Sequence, residues 1–284
     1  MKKYLGIVMF LLLLSLSGCG IISLGYNYAD VYLRYTINSY ATFTDSQKEI
    51  IDTEVEHFMQ WHRSNMLPQY VSLLQEMQRD VVAAKVLTKE DVANYRKEVH
   101  ALYVKTLQPT VVPAAGLLSG IDAGQIREMA QSVAKESRKL RDKDLSGNHE
   151  EQLHKRAERS IDFLETLVGA FSDKQLEQIR TASHQLPFAT AIYMQSKEDN
   201  QKHLIELMEN GDHKEEIANF LSLWLLTPEK SRSLEEQHTL LAFEQASNEM
   251  IANIYAMLSE RQKNTLLVSI TKYIETFQGL SRKI

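Results

Sequence analysis

Phe43-Thr44-Asp45-Ser46-Gln47 is the stretch on which the reading of the fold turns. A hydroxyl at the cap, an acid just inside it and a Gln at the third helical position are the parts of a helix start. Thr44 accepts from an early backbone amide, Asp45 faces the positive end of the helix dipole, and Gln47 reaches back to close a capping box. The same form, apolar then Ser or Thr, acid, any residue, Gln, returns at Phe171-Ser172-Asp173-Lys174-Gln175 and at Leu258-Ser259-Glu260-Arg261-Gln262. Leu87-Thr88-Lys89-Glu90-Asp91 is a degraded relative. The full boxes stand 128 and 87 residues apart, spacings that give no regular repeat.

Outward from these boxes the composition agrees. Only 11 glycines and 5 prolines occur in 284 residues, and no long Ser/Gly linker interrupts them. The expected fold is all-α, an irregular multi-helix bundle of about nine or ten helices with short connections. After the first box, Ile51, Val55, Phe58 and His62 share one helical stripe. Pro68 then demands a kink or a fresh helix around residues 64 to 68. Trp61, His62, Arg63 and Tyr70, gathered about this break, are the candidate binding residues. His62 on an apolar stripe reads first as a buried histidine satisfied by hydrogen bonding, with Arg63 nearby, and second as a group with chemistry of its own. Trp61 lies about a right angle away and points to a neighbouring helix.

The Ala114 to Gly124 stretch is the most flexible and apolar break, a candidate mobile loop and internal boundary, with Asp122 capping the helix beyond it. The run Phe220-Leu221-Ser222-Leu223-Trp224-Leu225-Leu226 is the most apolar of the body and is expected to be central core. A single domain over 19–284 is expected, with a subdivision near 114–124.

The N-terminus has another character. Lys2 and Lys3 precede an apolar run from Tyr4 to Leu14 and then Leu16-Ser17-Gly18-Cys19. This is the layout of a secretion signal, too short to span a bilayer as a mature helix, which takes about 20 apolar residues. Residues 1–18 are read as the cleaved leader. Cys19 is the only cysteine, so the body has no thiols for disulfides or thiolate metal sites. The formal charge is −5 for the whole chain and becomes −7 without Lys2 and Lys3, which recruits no nucleic acid. Five of the twelve tyrosines fall between Tyr26 and Tyr40. Leu24, Tyr28, Val31 and Tyr35 mark one face of the first helix, read as core-facing, with contact to lipid headgroups as the second reading.

Catalytic and metal patterns are isolated. Two Glu-x-x-His spacings, Glu54 to His57 and Glu151 to His154, turn away from the apolar stripes of their helices, against the inward geometry of a di-metal bundle. Ser132 and Lys135 have a Ser-x-x-Lys spacing without the motifs that accompany it in penicillin-binding enzymes. No enzyme activity, cofactor or metal is expected.

Three resemblances add to this reading. Leu16-Ser17-Gly18-Cys19 resembles the lipobox of bacterial lipoproteins, which implies cleavage between Gly18 and Cys19 and a diacylglycerol on Cys19. Gly20, where inner-membrane lipoproteins commonly carry Asp, implies the outer membrane as the address. The Thr44/Gln47, Ser172/Gln175 and Ser259/Gln262 boxes are similar to the Leu-Thr-x-x-Gln boxes of Spy/CpxP-type periplasmic chaperones. The tyrosine-rich opening, first box, Trp61-His62-Arg63 and Leu67-Pro68-Gln69-Tyr70, all behind a lipobox, resemble an uncharacterised family of proteobacterial lipoproteins, a domain of unknown function. The expectation is a non-enzymatic, lipid-anchored, periplasm-facing protein that binds clients or partners in a chaperone-like way. The alternatives are an accessory lipoprotein of an outer-membrane or cell-wall assembly and, third, an enzyme acting on envelope material.

Overall fold

The computed structural model describes residues 19–211 and 213–282. The expected leader over 1–18, with Gly18 of the expected cleavage site, and the side chain of Cys19 lie outside the described residues.

Thirteen α-helices are described: α1 (Cys19–Asn27), α2 (Ala29–Asn38), α3 (Asp45–Asn65), α4 (Leu67–Val82), α5 (Lys89–Leu107), α6 (Val111–Leu118), α7 (Ala123–Asp144), α8 (His149–Val168), α9 (Asp173–Gln185), α10 (Thr190–Glu209), α11 (Lys214–Leu226), α12 (Leu234–Ala256) and α13 (Glu260–Ser281). Where α1 meets α2, α3 meets α4, and α5 passes through a 3-10 turn into α6, the chain stays helical or nearly so. Counted as continuous runs, these are ten long helices, and no strand occurs among the described residues. The fold is all-α.

Helix starts are fixed as the boxes require. Thr44, Ser172 and Ser259 each accept from the amide of the Gln three residues on, whose side chain accepts from the cap amide in return. The degraded relative is a working box too, closed by Asp91. Two more boxes, Asp122 with Gln125 and Ser233 with Glu236, start α7 and α12.

The packing reveals an order that the box spacings hide. Helices α2–α7 and α8–α13 are two six-helix halves most of whose contacts map onto each other reciprocally, the packing of α8 on α13 being an exception. Where α2 packs on α3, α8 packs on α9, and where α3 meets α6, α9 meets α12. Across the halves, α4 packs on α13 as α10 packs on α7, and α5 on α12 as α11 on α6. The operation carrying the first half onto the second therefore carries the second onto the first, which is the topology of a two-fold with exchanged arms. Each long crossing is pinned by a hydroxyl–Gln bond, Gln78 to Thr271 at 2.7 Å and Ser137 to Gln201 at 2.8 Å.

Proline marks where each arm leaves and returns. Leu67-Pro68 begins the first exchanged helix and Leu186-Pro187 lies in the short connection just before the second, and Leu107-Gln108-Pro109 and Leu226-Thr227-Pro228 lead back through 3-10 turns. A proline ring cannot donate to the helix ladder, so each is a natural point for the chain to change lobe. Two cores result. One is built from α3, α6 and α7 with α10 and α11, and the other from α8, α9, α12 and α13 with α4. Equivalent positions are buried in both: Ile51 and Ile179, each seven residues after a first cap, and Ala115 and Ala252, each seven before a second.

Two expectations change. In the Phe220 to Leu226 run only Leu221 is fully buried and Leu223 is exposed, because α11 is an arm laid on α6 rather than the centre of the protein. The Ala114 to Gly124 break is helical through Leu118, with Ala115 wholly buried, and only residues 119–122 turn. The two six-helix halves join at Leu145–Asn148. There Gly147 has φ +85°, and a Cβ added to it would lie 3.2 Å from the Glu151 Cβ and clash with the carboxylate. Gly147→Ala is expected to destabilise by about 1–2 kcal/mol, measured by urea unfolding.

Candidate functional site

The second-cap boxes show why Gln, and not Glu, stands at four of the six third positions. The Gln125 side-chain oxygen accepts from the Asp122 amide on its own helix at 3.0 Å, and its NH2 donates across to the Thr42 carbonyl at 2.9 Å. Gln47 does the converse, accepting from Thr44 N–H at 2.9 Å and donating to the Gly120 carbonyl at 3.1 Å. The two amides also bond each other, at 2.6 and 3.1 Å. In the other lobe Gln262 donates to the Ala170 carbonyl at 3.1 Å and Gln175 to the Met257 carbonyl at 2.9 Å, with mutual bonds at 3.0 and 3.2 Å. A carboxylate could close its own box but could not donate to the partner loop. Asp91 and Glu236, which have no such partner, are carboxylates.

Each amide pair therefore locks the loop before a first box to the loop before a second, and beside each lock lies an open groove. The first, about 610 Å³, runs along Asn38–Phe43 and is walled by Lys48 of α3 and by Glu128 and Ser132 of α7. The second, about 860 Å³, runs along Val168–Ala170 and is walled by Gln178 of α9 and by Arg261 and Thr265 of α13. A glutamate holds the loop amides in both. Thr42 N–H donates to Glu128 at 2.6 Å, and Phe171 N–H to Glu165 at 3.0 Å.

The residues gathered around Pro68 form a separate feature. His62, 3 % exposed, bonds the Tyr26 hydroxyl through Nδ1 at 2.9 Å and the Tyr70 hydroxyl through Nε2 at 3.2 Å. Thr106 gives its one hydroxyl proton to the Leu102 carbonyl, so it must accept from Tyr70 at 2.7 Å. Tyr70 then accepts from His62 Nε2–H, and His62 Nδ1 accepts from Tyr26. Every proton in the chain Tyr26, His62, Tyr70, Thr106 has a place, and it ties α1, α3, α4 and α5 together. Burial lowers the His62 pKa to about 4, so the ring is neutral at pH 7. Burial raises the Tyr26 phenol to about 12, offset in part by the charge and hydrogen bond of Arg63, whose guanidinium sits 5.5 Å from the Tyr26 ring centre. Trp61 packs beside Phe58, at 6.1 Å between ring centres. His62, Arg63 and Tyr70 are thus brought together, with Trp61 at their edge; Tyr26 and Thr106, distant in sequence, complete the group.

Thr44 and Gln47 stand in one lobe, and Ser172, Gln175, Ser259 and Gln262 in the other. Among the described residues no group of three or more His, Cys, Asp or Glu side chains is placed to hold a metal ion.

A family model described as a family of unknown function, DUF6279, matches residues 39–231, about two thirds of the chain. The chain belongs to that family. The DUF6279 match begins at the loop of the first groove and ends after α11, so it takes in the first lock, the Ser172 box and both exchanged arms, while α12 and α13 lie beyond it. No curated protein and no solved structure matches the chain.

Proposed function

We propose that this DUF6279 protein is a non-enzymatic, chaperone-like binding protein of the bacterial envelope. In this reading it is anchored to the outer membrane through Cys19 and holds segments of other proteins in its two grooves. The observation that carries the reading is that the groove is built twice while the helices around it diverge. α3 has 21 residues and α9 has 13, yet both begin at the same Gln lock beside the same opening. Lysine or arginine, glutamate or glutamine and exposed loop backbone line each groove, a mixed surface suited to main chain and varied side chains. The likeness of the boxes to Leu-Thr-x-x-Gln and the lipobox at Cys19 support the chaperone and envelope parts of the reading.

Purified protein is expected to suppress aggregation of a reduced, unfolded client at near-stoichiometric amounts. Bulky substitutions in both grooves, Ser132→Trp with Gln178→Trp, should weaken that several-fold without altering the circular dichroism spectrum. No suppression by the folded wild-type protein would exclude the chaperone role and leave the accessory-lipoprotein reading, in which one dominant partner crosslinks in cells.

A further inference from the structure

The N-terminal helical run is apolar on two opposite faces. At about 100° per residue, Ile22, Tyr26, Leu33 and Ile37 share one side, and Leu24, Tyr28, Val31 and Tyr35 share the other. The first side is docked. Ile22 and Tyr26 are 3 % and 4 % exposed, Tyr26 packs with Leu67 and Leu280, and Leu33 and Ile37 pack on the first core. The second side, which sequence periodicity marks as core, is open: Leu24, Tyr28, Val31 and Tyr35 are 55–61 % exposed. The run bends at Tyr28, but its ladder continues, with Tyr28 N–H bonding Leu24 and Tyr32 N–H bonding Tyr28, both at 3.1 Å. The charges of α2 turn aside, Arg34 hydrogen-bonding Asp30 at 2.7 Å and ion-pairing with Asp52 of α3 at 3.0 Å.

A helix apolar on both sides needs cover on both. The uncovered side belongs to the run that starts at Cys19, the residue that carries the lipid in the anchored reading, and Leu24 is five residues, ~7.5 Å, along it. We propose that Leu24, Tyr28, Val31 and Tyr35 form a membrane-docking face that rests on the lipid headgroups beside the anchor. Tyrosine suits that depth, its ring apolar and its hydroxyl wet. The stripe is ~16 Å long from Leu24 to Tyr35. An interfacial helix sinks only ~5–10 Å, so all four residues reach lipid only if α1 and α2 lie along the surface rather than upright. The groove at Asn38–Phe43, which directly follows α2, then opens close to the membrane. The body does not hang from a leash.

This inference rests on the lipid-anchored reading, and its test separates the two. Cys19 is the only native cysteine, so Tyr28→Cys, Tyr35→Cys and Val86→Cys can each carry one environment-sensitive fluorophore in the full-length protein. Val86 is 79 % exposed and lies past the far end of α4, ~24 Å from the Leu67 end that touches α1. The labelled proteins are reconstituted into phosphatidylethanolamine/phosphatidylglycerol vesicles, and the mass of the N-terminal peptide is read in parallel. The expected result is a diacylglycerol on Cys19, a blue shift and several-fold weaker iodide quenching at 28 and 35, and full quenching at 86. A lipidated Cys19 with 28 and 35 quenched as fully as 86 overturns the docking face and leaves the anchor standing. An unmodified Cys19, or a retained leader covering the stripe, overturns both.

Discussion

Lowering the pH from 7 to 4 is expected to remove about 3 kcal/mol of folding stability through His62 alone. Its ordinary pKa is about 6.5, and burial between Tyr26, Phe58 and Tyr70 brings it down to about 4. Between those values the unfolded chain binds a proton that the folded chain refuses. Stability therefore falls as pH drops through the window, and the shift of roughly 2.5 units sets the size. The tautomer explains the refusal: Nδ1 is already accepting from the Tyr26 hydroxyl, and the imidazolium would have no acceptor there unless that phenol turned away. His62→Gln is the informative variant, since its amide can accept from Tyr26 and donate to Tyr70 but does not titrate. Urea unfolding from pH 7 to 4 should show wild type losing about 3 kcal/mol more than His62→Gln. Parallel pH profiles would mean that the histidine is not held as described.

Gln125→Glu and Gln262→Glu are each expected to lower stability by about 3 kcal/mol, although both are near-isosteric and both keep their own capping box. Each replaces an NH2 donor with an oxygen that faces the Thr42 or Ala170 carbonyl and the partner amide oxygen, at sites 5 % and 6 % exposed. Burying a charge against acceptors and leaving a carbonyl unpaired are among the few single changes that cost this much. Because each lock has two members, Gln47→Ala and Gln125→Ala should be coupled by about 1–2 kcal/mol in a double-mutant cycle. Additive effects would show that the amides cap their own helices without bracing one another.

Much of the fold is legible in the sequence because capping is local. Thr44, Ser172 and Ser259 announce their helices within five residues, and the proline positions announce the breaks. What is not legible is what those signals mean together. The second member of the first lock begins with Asp122 rather than Ser or Thr, so a search for hydroxyl boxes sees three where there are four of one kind. With Gln125 included, the pattern is a box pair 78 residues apart in the first half (44 to 122) and 87 in the second (172 to 259), each enclosing Leu-Pro and then Leu-x-Pro. No local signal says that the arms between are exchanged, since α4 meets α13 across about 200 residues of sequence. The stripe from Leu24 to Tyr35 shows the limit from the other side. Periodicity identifies an apolar face but not whether protein or lipid covers it, and here the core takes the opposite face. His62 on its stripe points inward as periodicity says, while Tyr26 and Thr106, the partners that settle its protons, come from helices no spacing rule connects to it.

In the proposed reading the two locked grooves are equivalent binding sites. Photocrosslinking in intact cells tests it most directly, with a benzophenone amino acid at Ser132 in the first groove, at Gln178 in the second, and at exposed Leu241 on α12 as control. Both groove positions are expected to capture an overlapping set of envelope proteins, and Leu241 far less. Capture from Leu241 with both grooves silent would contradict it.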